Sequence, residues 1–200
     1  MGEPFQEIVE LARMLQAELV VMGPHGRRVI HDLFIGSTAQ RMIRHSEVPV
    51  LVVHFAAEHA YRRPLIAADL QTTARHLIEL ALGVLDPDVD TIEVFYASRV
   101  ARAMEAASRE ALELANGAEI DRDRLEIVVR RGDPRTSILS ELQSRETDLV
   151  VLGTHRRSGL ARVVTGSVAE SVLAAAACDV LIVPGLESAS HPVESRASTP

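Results

Sequence analysis

The sequence predicts an α/β fold built around a parallel sheet, and two observations support that prediction. A 53-residue block occurs twice without a gap, because residues 2–54 align with residues 132–184 at 15 identical positions. Short, unbroken apolar runs rich in β-branched residues also alternate with segments of helical spacing. Apolar runs without polar alternation are typical of strands that are buried on both faces of a parallel sheet.

The predicted elements follow one another in a regular order. The apolar runs predict strands at residues 19–22, 50–53, 65–68, 92–96, 127–129, 149–152 and 180–183. Leu77, Ile78 and Ala81 show helical spacing, and Asp133-Pro134 is an N-cap followed by proline at the first helical position. From residue 62 the order is β-α-β-α-β-α-β-α-β, typical of a doubly wound unit, whereas residues 3–54 give only α-β-α-β.

The repeat divides the chain into four expected parts. We expect residues 1–54 to be the C-terminal half of one domain, residues 55–61 a linker and residues 62–184 a complete domain. Residues 185–200 contain four serines and two prolines without apolar periodicity, so a disordered tail is expected there. The domain organisation is therefore half a domain followed by a whole second copy.

Composition excludes several functional classes. The net charge of −7 argues against nonspecific nucleic-acid binding, which needs a concentrated cationic face. All 21 basic residues are arginine, and the chain has no lysine. P-loop nucleotide hydrolases, pyridoxal enzymes and protein kinases each require a lysine, so all three classes are excluded.

The sequence shows no signal for a membrane span, for secretion or for a metal site. No apolar run approaches the roughly 18 residues of a membrane span, and no signal peptide is visible. Cys178 is the single cysteine and is interpreted as a small core residue, so we expect a reducing, cytoplasmic setting. The histidines show no metal-ligand spacing, and no metal site is predicted.

A glycine frame follows the last-but-one strand of each copy. In the second copy Gly153 follows the strand, and Gly166-Ser167 opens the next helix. In the first copy the corresponding residues are Gly23, Gly26, Gly36 and Ser37. A glycine at a strand's carboxyl end lets backbone approach a ligand, and a helix start offers free N–H groups to an anion. Taken alone, the glycines are equally well explained as tight turns.

This frame resembles the G-x-x-G-x9-G-[ST] signature of the universal stress protein family, and the resemblance covers residues 2–54 and 62–184. It implies a five-stranded parallel sheet in the order 3-2-1-4-5, the adenine nucleotide alpha-hydrolase-like fold, and homodimers formed through the last strand. It also implies that ATP or another adenine nucleotide is bound by some members, with adenine near an aspartate at the end of strand one and phosphates at the glycine loop. Many other members bind no nucleotide.

The resemblance assigns expected site residues in the complete copy. The aspartate falls on Asp69, and the base-lining position at the end of strand two falls near Ala97. The ribose and phosphate loop falls on Leu152, Gly153, Gly166, Ser167 and Val168. The crevice of a doubly wound sheet also opens at the carboxyl ends of its strands, where the strand order reverses.

Arg156 stands where the signature has its second glycine. If that position had a positive φ, arginine would cost on the order of 1 kcal/mol. Its side chain would either crowd the phosphates or bind them through the guanidinium, and crowding is the preferred interpretation. The first copy keeps the whole glycine frame, but it has no first strand to supply an aspartate or an adenine wall.

Three functions remain open from the sequence. The preferred one is a binding or regulatory module of the stress response, with adenine-nucleotide binding weakened by Arg156. The alternative is a nucleotide-free dimerisation or scaffold protein. A weak ATP hydrolase ranks third, because no general base is identifiable.

The half-domain needs a partner surface to be stable. Two strands alone are too small for independent stability, and its penultimate strand would have an unpaired edge. We expect its last strand to dock against residues 180–183. That contact would form an intrachain pseudo-dimer in place of the homodimer that the resemblance implies.

Overall fold

A computed structural model describes residues 3–24, 35–54, 59–68, 74–89, 91–117, 122–156 and 167–187. In these segments, helices and strands alternate along the chain as the sequence predicts. Their bounds are α1 Pro4–Met14, β1 Val20–Met22, α2 Ser37–His45, β2 Val50–Val52, β3 Pro64–Ala67, α3 Ala74–Leu82, β4 Ile92–Ser98, α4 Ala101–Gly117, β5 Leu125–Arg131, α5 Pro134–Ser144, β6 Leu149–Arg156, α6 Ser167–Ala175 and β7 Asp179–Glu187.

The strands form one sheet in the order β1-β2-β7-β6-β3-β4-β5. From β7 to β5 every neighbouring pair is parallel. Numbered within residues 62–184, these five strands lie in the order 5-4-1-2-3, which is the predicted order read from the other edge. The prediction of a five-stranded parallel, doubly wound unit is therefore confirmed.

The half-domain joins this unit through its last strand. β1 pairs with β2 in parallel, and β2 pairs with β7 in antiparallel register, with Leu51 opposite Leu181. All three residues of β2 are buried. The expected contact between the first copy's last strand and residues 180–183 is thus present within the chain, and it makes a single mixed sheet of the two copies.

Helices cover both faces of the sheet. One core lies under α3 and α4 and includes Leu77 and Ala107 against Val94 and Val151. The other core lies under α2, α5 and α6 and includes Ile43, Ile138 and Val172. The cores separate by face because successive side chains of a strand point to opposite sides, and the apolar runs supply both. Cys178 is buried, as expected.

Two aspartates tie the chain between the copies to the start of β6 and β7. The carboxylate of the buried Asp179 accepts hydrogen bonds from the His54 backbone N–H at 2.7 Å and the Tyr61 hydroxyl at 2.5 Å. Asp148 accepts from the backbone N–H groups of Arg62 and Arg63 at 2.8 and 3.0 Å. Both ends of the expected linker are therefore anchored, although residues 55–58 lie outside the described residues.

Two boundaries expected from the sequence are wrong. The segment from Gly153 to Arg156, expected as a loop, belongs to β6, and the tail expected from residue 185 begins inside β7. The reason is pairing between the two strands, since His155 lies opposite Leu186 and Arg156 opposite Glu187 beyond an irregularity in the register. Residues 188–200 lie outside the described residues.

The repeat preserves an unusual backbone conformation. Gln16 and Glu146 occupy equivalent positions just after the C-caps of α1 and α5, and both have φ of 51°. The position after a helix C-cap commonly adopts this left-handed conformation and favours glycine, because a Cβ there is crowded. Both copies therefore carry a non-glycine residue at a strained helix end.

We predict that Gln16→Gly raises the free energy of unfolding by about 1 kcal/mol, because glycine removes the Cβ strain. Glu146→Gly should raise it by less, since it also removes the exposed Arg63–Glu146 ion pair. Urea denaturation measures both changes. Gln16→Ala is the control, because it keeps the Cβ, and equal stability of the alanine and glycine variants would contradict the strain.

We also predict that deleting residues 1–58 exposes β7 and makes the remaining chain associate into dimers through that strand. An uncovered apolar edge strand is a template for pairing. Light scattering at high concentration compares the deletion variant with the full chain, after circular dichroism has established that it is folded. A folded deletion variant with no greater association than the full chain would refute the prediction.

Candidate functional site

The predicted site lies at the carboxyl edge of the complete unit's sheet. β3 lies between β6 and β4, with Ala67 in register with Leu152 on one side and Phe95 on the other. The carboxyl ends of these three parallel strands therefore meet at one place. α6 begins at Ser167 in the same copy. This is the arrangement in which doubly wound proteins form a crevice.

The described site residues differ in their exposure. Leu152 and Ala97 are buried, Val168 is half-buried and Ser167 is exposed. Leu152 and Ala97 belong to the same core, so their side chains support the floor of the crevice. Asp69 and Gly166 lie outside the described residues, and their expected roles stay predictions.

Gly153 has no strained backbone in this structure. It lies inside β6, and its φ is outside the left-handed region. A Cβ added there would meet Leu77 Cδ1 at 3.5 Å, an ordinary van der Waals distance. The described structure therefore accommodates alanine at this position, where the added Cβ would pack against Leu77 without a clash.

Arg156 also lies in extended backbone. It is paired with Glu187 at the end of β6, and the non-glycine residues described with positive φ are Gln16 and Glu146. Arg156 therefore does not bear the free-energy cost that a left-handed backbone would impose on arginine. The Arg156 side chain lies outside the described part of the structure, so crowding and phosphate binding both stay open.

Three of the four residues of the first copy's glycine frame lie in the part of the chain that the structure describes. Gly23 follows β1, and the Gly36 N–H donates to the Pro24 carbonyl at 2.7 Å. Ser37 begins α2, whose first turn receives no side-chain cap. Gly26 lies outside the described residues. Among the strands described, β1 pairs with β2 alone, so no equivalent of β3 lies beside it.

A second concave region lies at the opposite edge of the sheet. It is a cavity of about 550 Å³ at the amino ends of β3, β4 and β5, and its walls include Arg63, Glu93, Glu126, Arg145 and Asp148. The predicted nucleotide site and this cavity are therefore at opposite ends of the parallel strands.

A network of carboxylates and guanidiniums forms one wall of this cavity. Arg145, the C-cap of α5, binds Glu126 through two hydrogen bonds of 2.7 and 3.2 Å and Glu141 through one of 3.2 Å. Its Nε also lies 3.5 Å from Glu93 Oε2. Arg130 pairs with Glu141 at 3.0 Å. Cationic groups are favourable at a helix C-terminus, which suits Arg145 to this place.

Glu93 is the unusual member of the network. It is 6% exposed, and no described residue forms a hydrogen bond with its Oε1. Burial, together with the nearby Glu141 carboxylate, raises the Glu93 pKa from 4.5 to about 7. Sequence reasoning missed this group because Glu93 falls inside an apolar strand run, and a charge inside such a run was itself the available signal.

No cluster of three histidine, cysteine or acidic residues suited to a metal ion occurs among the described residues. None of the described helices combines the length and apolarity needed to cross a bilayer.

Comparisons with known proteins agree with the fold. The model of the universal stress protein family matches residues 1–54 and 60–184. A universal stress protein of Methanocaldococcus jannaschii, MJ0531, is 44% identical over 52 residues, covering 26% of this chain and 31% of the relative. Universal stress protein Rv2005c of Mycobacterium tuberculosis is 27% identical over 196 residues, covering 90% of this chain and 65% of the relative.

A solved structure gives the same result. The crystal structure of a universal stress protein from Archaeoglobus fulgidus superposes with a TM-score of 0.69 at 20% identity. The match covers 92% of this chain and 67% of that one. The matches thus span from about a third to two thirds of the length of these three proteins.

We predict that Glu93→Gln stabilises the protein more at pH 8 than at pH 5. An acid whose folded pKa is raised from 4.5 to about 7 costs nothing well below pH 4.5, destabilises progressively as pH rises from 4.5 to 7, and adds no further cost above that. The difference in unfolding free energy between variant and parent should grow by about 1 to 2 kcal/mol, after allowance for screening by the open cavity.

Urea denaturation at the two pH values measures this change. Glu170→Gln is the control, because Glu170 forms an exposed ion pair with Arg44 and should give a difference that is constant with pH. Parallel pH profiles for the parent and Glu93→Gln would show that Glu93 titrates normally.

Proposed function

The chain belongs to the universal stress protein family, and from that membership we propose that it is a regulatory binding module that holds an adenine nucleotide at the carboxyl edge of its complete unit. The observation that carries the proposal is the position of β3 between β6 and β4. The chain leaves β3 toward β4 on one side and returns to β6 on the other, so the strand order reverses there. Ligands of doubly wound proteins bind at such a reversal.

The described residues supply suitable chemistry for a nucleotide. The buried Ala97 provides a small apolar wall at the end of β4, where a purine ring can lie. Leu152 and Gly153 provide backbone near the carboxyl end of β6. Ser167, exposed at the start of α6, provides a hydroxyl and the N–H groups of a helix N-terminus, which favour phosphate. In the proposal, Asp69 contacts the adenine or ribose.

A nucleotide-free scaffold is the second candidate, and the β2–β7 junction favours it. β2 is fully buried against β7, and Arg44 of α2 pairs with Glu170 of α6 across the junction at 2.9 Å. This contact joins the two copies without any ligand. In both candidates the protein acts through what it binds, and a cytoplasmic location and an intrachain pseudo-dimer through β2 and β7 belong to the proposal as well.

Mass spectrometry of the purified, gently denatured protein tests nucleotide binding directly. Release of an adenine nucleotide in near-equimolar amount supports the proposal. The second test is calorimetric titration with ATP, comparing the parent with Ser167→Ala. Absence of nucleotide, together with no measurable ATP binding, would favour the scaffold.

We predict that Arg156→Gly tightens ATP binding by roughly tenfold, or about 1.4 kcal/mol, because glycine removes a long side chain from the phosphate region. Calorimetry measures the dissociation constants. Arg157→Gly is the matched control, since it removes the same charge from the neighbouring residue and should leave affinity close to that of the parent.

The result also distinguishes the two interpretations of Arg156, which are crowding of the phosphates and binding of the phosphates. Weaker binding in Arg156→Gly would mean that the guanidinium is a phosphate ligand. Equal changes in both variants would mean that net charge alone matters. Either outcome would contradict the crowding interpretation.

A further inference from the structure

The carboxylates that line the cavity at the amino ends of the strands differ in their hydrogen bonds, and one carboxylate oxygen receives none. Asp148 uses both carboxylate oxygens on the backbone N–H groups of Arg62 and Arg63. Glu126 uses both of its oxygens on Arg145. Glu93 lines the same cavity, is more than nine-tenths buried, and has an Oε1 without a donor. A buried acceptor left unpaired is costly, so this atom marks where a donor is missing.

The charges around Glu93 leave an excess of negative charge. Glu93 and Glu126 are directly opposite each other on β4 and β5. Glu141 joins them from α5, and the cations of the network are Arg130 and Arg145. Three carboxylates thus share two guanidiniums. A single positive charge entering the cavity would neutralise the network.

The two other guanidiniums at the cavity are already engaged. Arg63 pairs with Glu146 at 2.6 Å, and Arg62 pairs with Asp86 at 3.3 Å. They therefore do not supply a counter-charge to Glu93. An anionic ligand would face the excess carboxylate, and a bare metal ion would find no cluster of three suitable ligands in the described residues. An organic cation needs only one carboxylate and nearby acceptors.

We propose that this cavity binds a small organic cation carrying a primary ammonium group, with Glu93 as its counter-ion. The ammonium would approach the Glu93 carboxylate from the cavity that Glu93 lines, and it would complete the charge balance of the network. The hydroxyls of Thr91 and Thr147, which line the cavity, can accept its other N–H groups. This site is separate from the proposed nucleotide site, because the two occupy opposite ends of the strands.

Binding should depend on pH through the groups that surround Glu93. Its neighbours are Glu126 and Arg130 on β5, with Glu141 and Arg145 on α5, and burial with the Glu141 charge raises the Glu93 pKa to about 7. Glu93 is thus mostly protonated at pH 5.5 and mostly ionised at pH 8. Because the apparent affinity scales with the competent fraction, binding at pH 5.5 should be at least roughly tenfold weaker.

The test titrates the full chain with 1,4-diaminobutane and, in parallel, with neutral 1,4-butanediol of the same length. Calorimetry at pH 8 and 5.5 measures affinity. We expect saturable binding of the diamine at pH 8, at least tenfold weaker binding at pH 5.5, and no competition from the diol. Glu93→Gln should weaken diamine binding at least tenfold at pH 8, and Glu170→Gln should leave it unchanged.

Glu126→Gln provides a second variant if Glu93→Gln fails to fold, because Glu126 is half-exposed and its change lowers the negative charge of the same network. It should also weaken binding. No saturable binding at pH 8, equal affinity for the diol, or unchanged affinity in the folded Glu93→Gln or Glu126→Gln variants would each overturn the proposal. Nucleotide takes no part in the readout, so this result is independent of the ATP experiments.

Discussion

The antiparallel pairing of β2 with β7 is the contact on which the arrangement of the whole chain depends. The half-domain contributes two short strands, and α1 has no buried residue, so its own core is small. What it buries is β2, together with Ala39, Met42 and Ile43 of α2. The buried Asp179 reinforces this junction, because it binds the His54 backbone beyond β2 and the Tyr61 hydroxyl ahead of β3. Strand pairing and a satisfied buried carboxylate together stabilise the join.

Much of the fold could be predicted because the apolar runs and the repeat agree with each other. Runs such as residues 149–152 and 180–183 are buried strands, and Asp133 caps α5 by accepting from the Arg135 and Thr136 N–H groups. The extension of β6 through Arg156 was not predictable from composition. Gly-Thr-His-Arg has little strand character by itself, and pairing with the end of β7 decides its conformation.

The two candidate sites also differ in how far the sequence could predict them. Leu152, Gly153 and Ser167 could be assigned from the glycine frame, whose spacing is local in sequence. The Glu93–Arg145 network could not, because it joins β4, β5 and α5 through side chains distant in sequence. Two aligned strands place Glu93 beside Glu126, and only the register reveals that pair. Long-range electrostatic networks of this kind depend on tertiary geometry that no single segment encodes.

The β2–β7 contact also has a consequence for synthesis on the ribosome. Leu51 and Leu181, which face each other, are 130 positions apart, so β2 leaves the ribosome long before its partner strand exists. At typical elongation rates of about 5–20 residues per second, this wait lasts several seconds or longer. During that interval β2 can pair with β1, but its other edge has no native neighbour. The nascent half-domain therefore exposes an apolar strand edge until β7 is made, and its docking is expected to be the last step of folding.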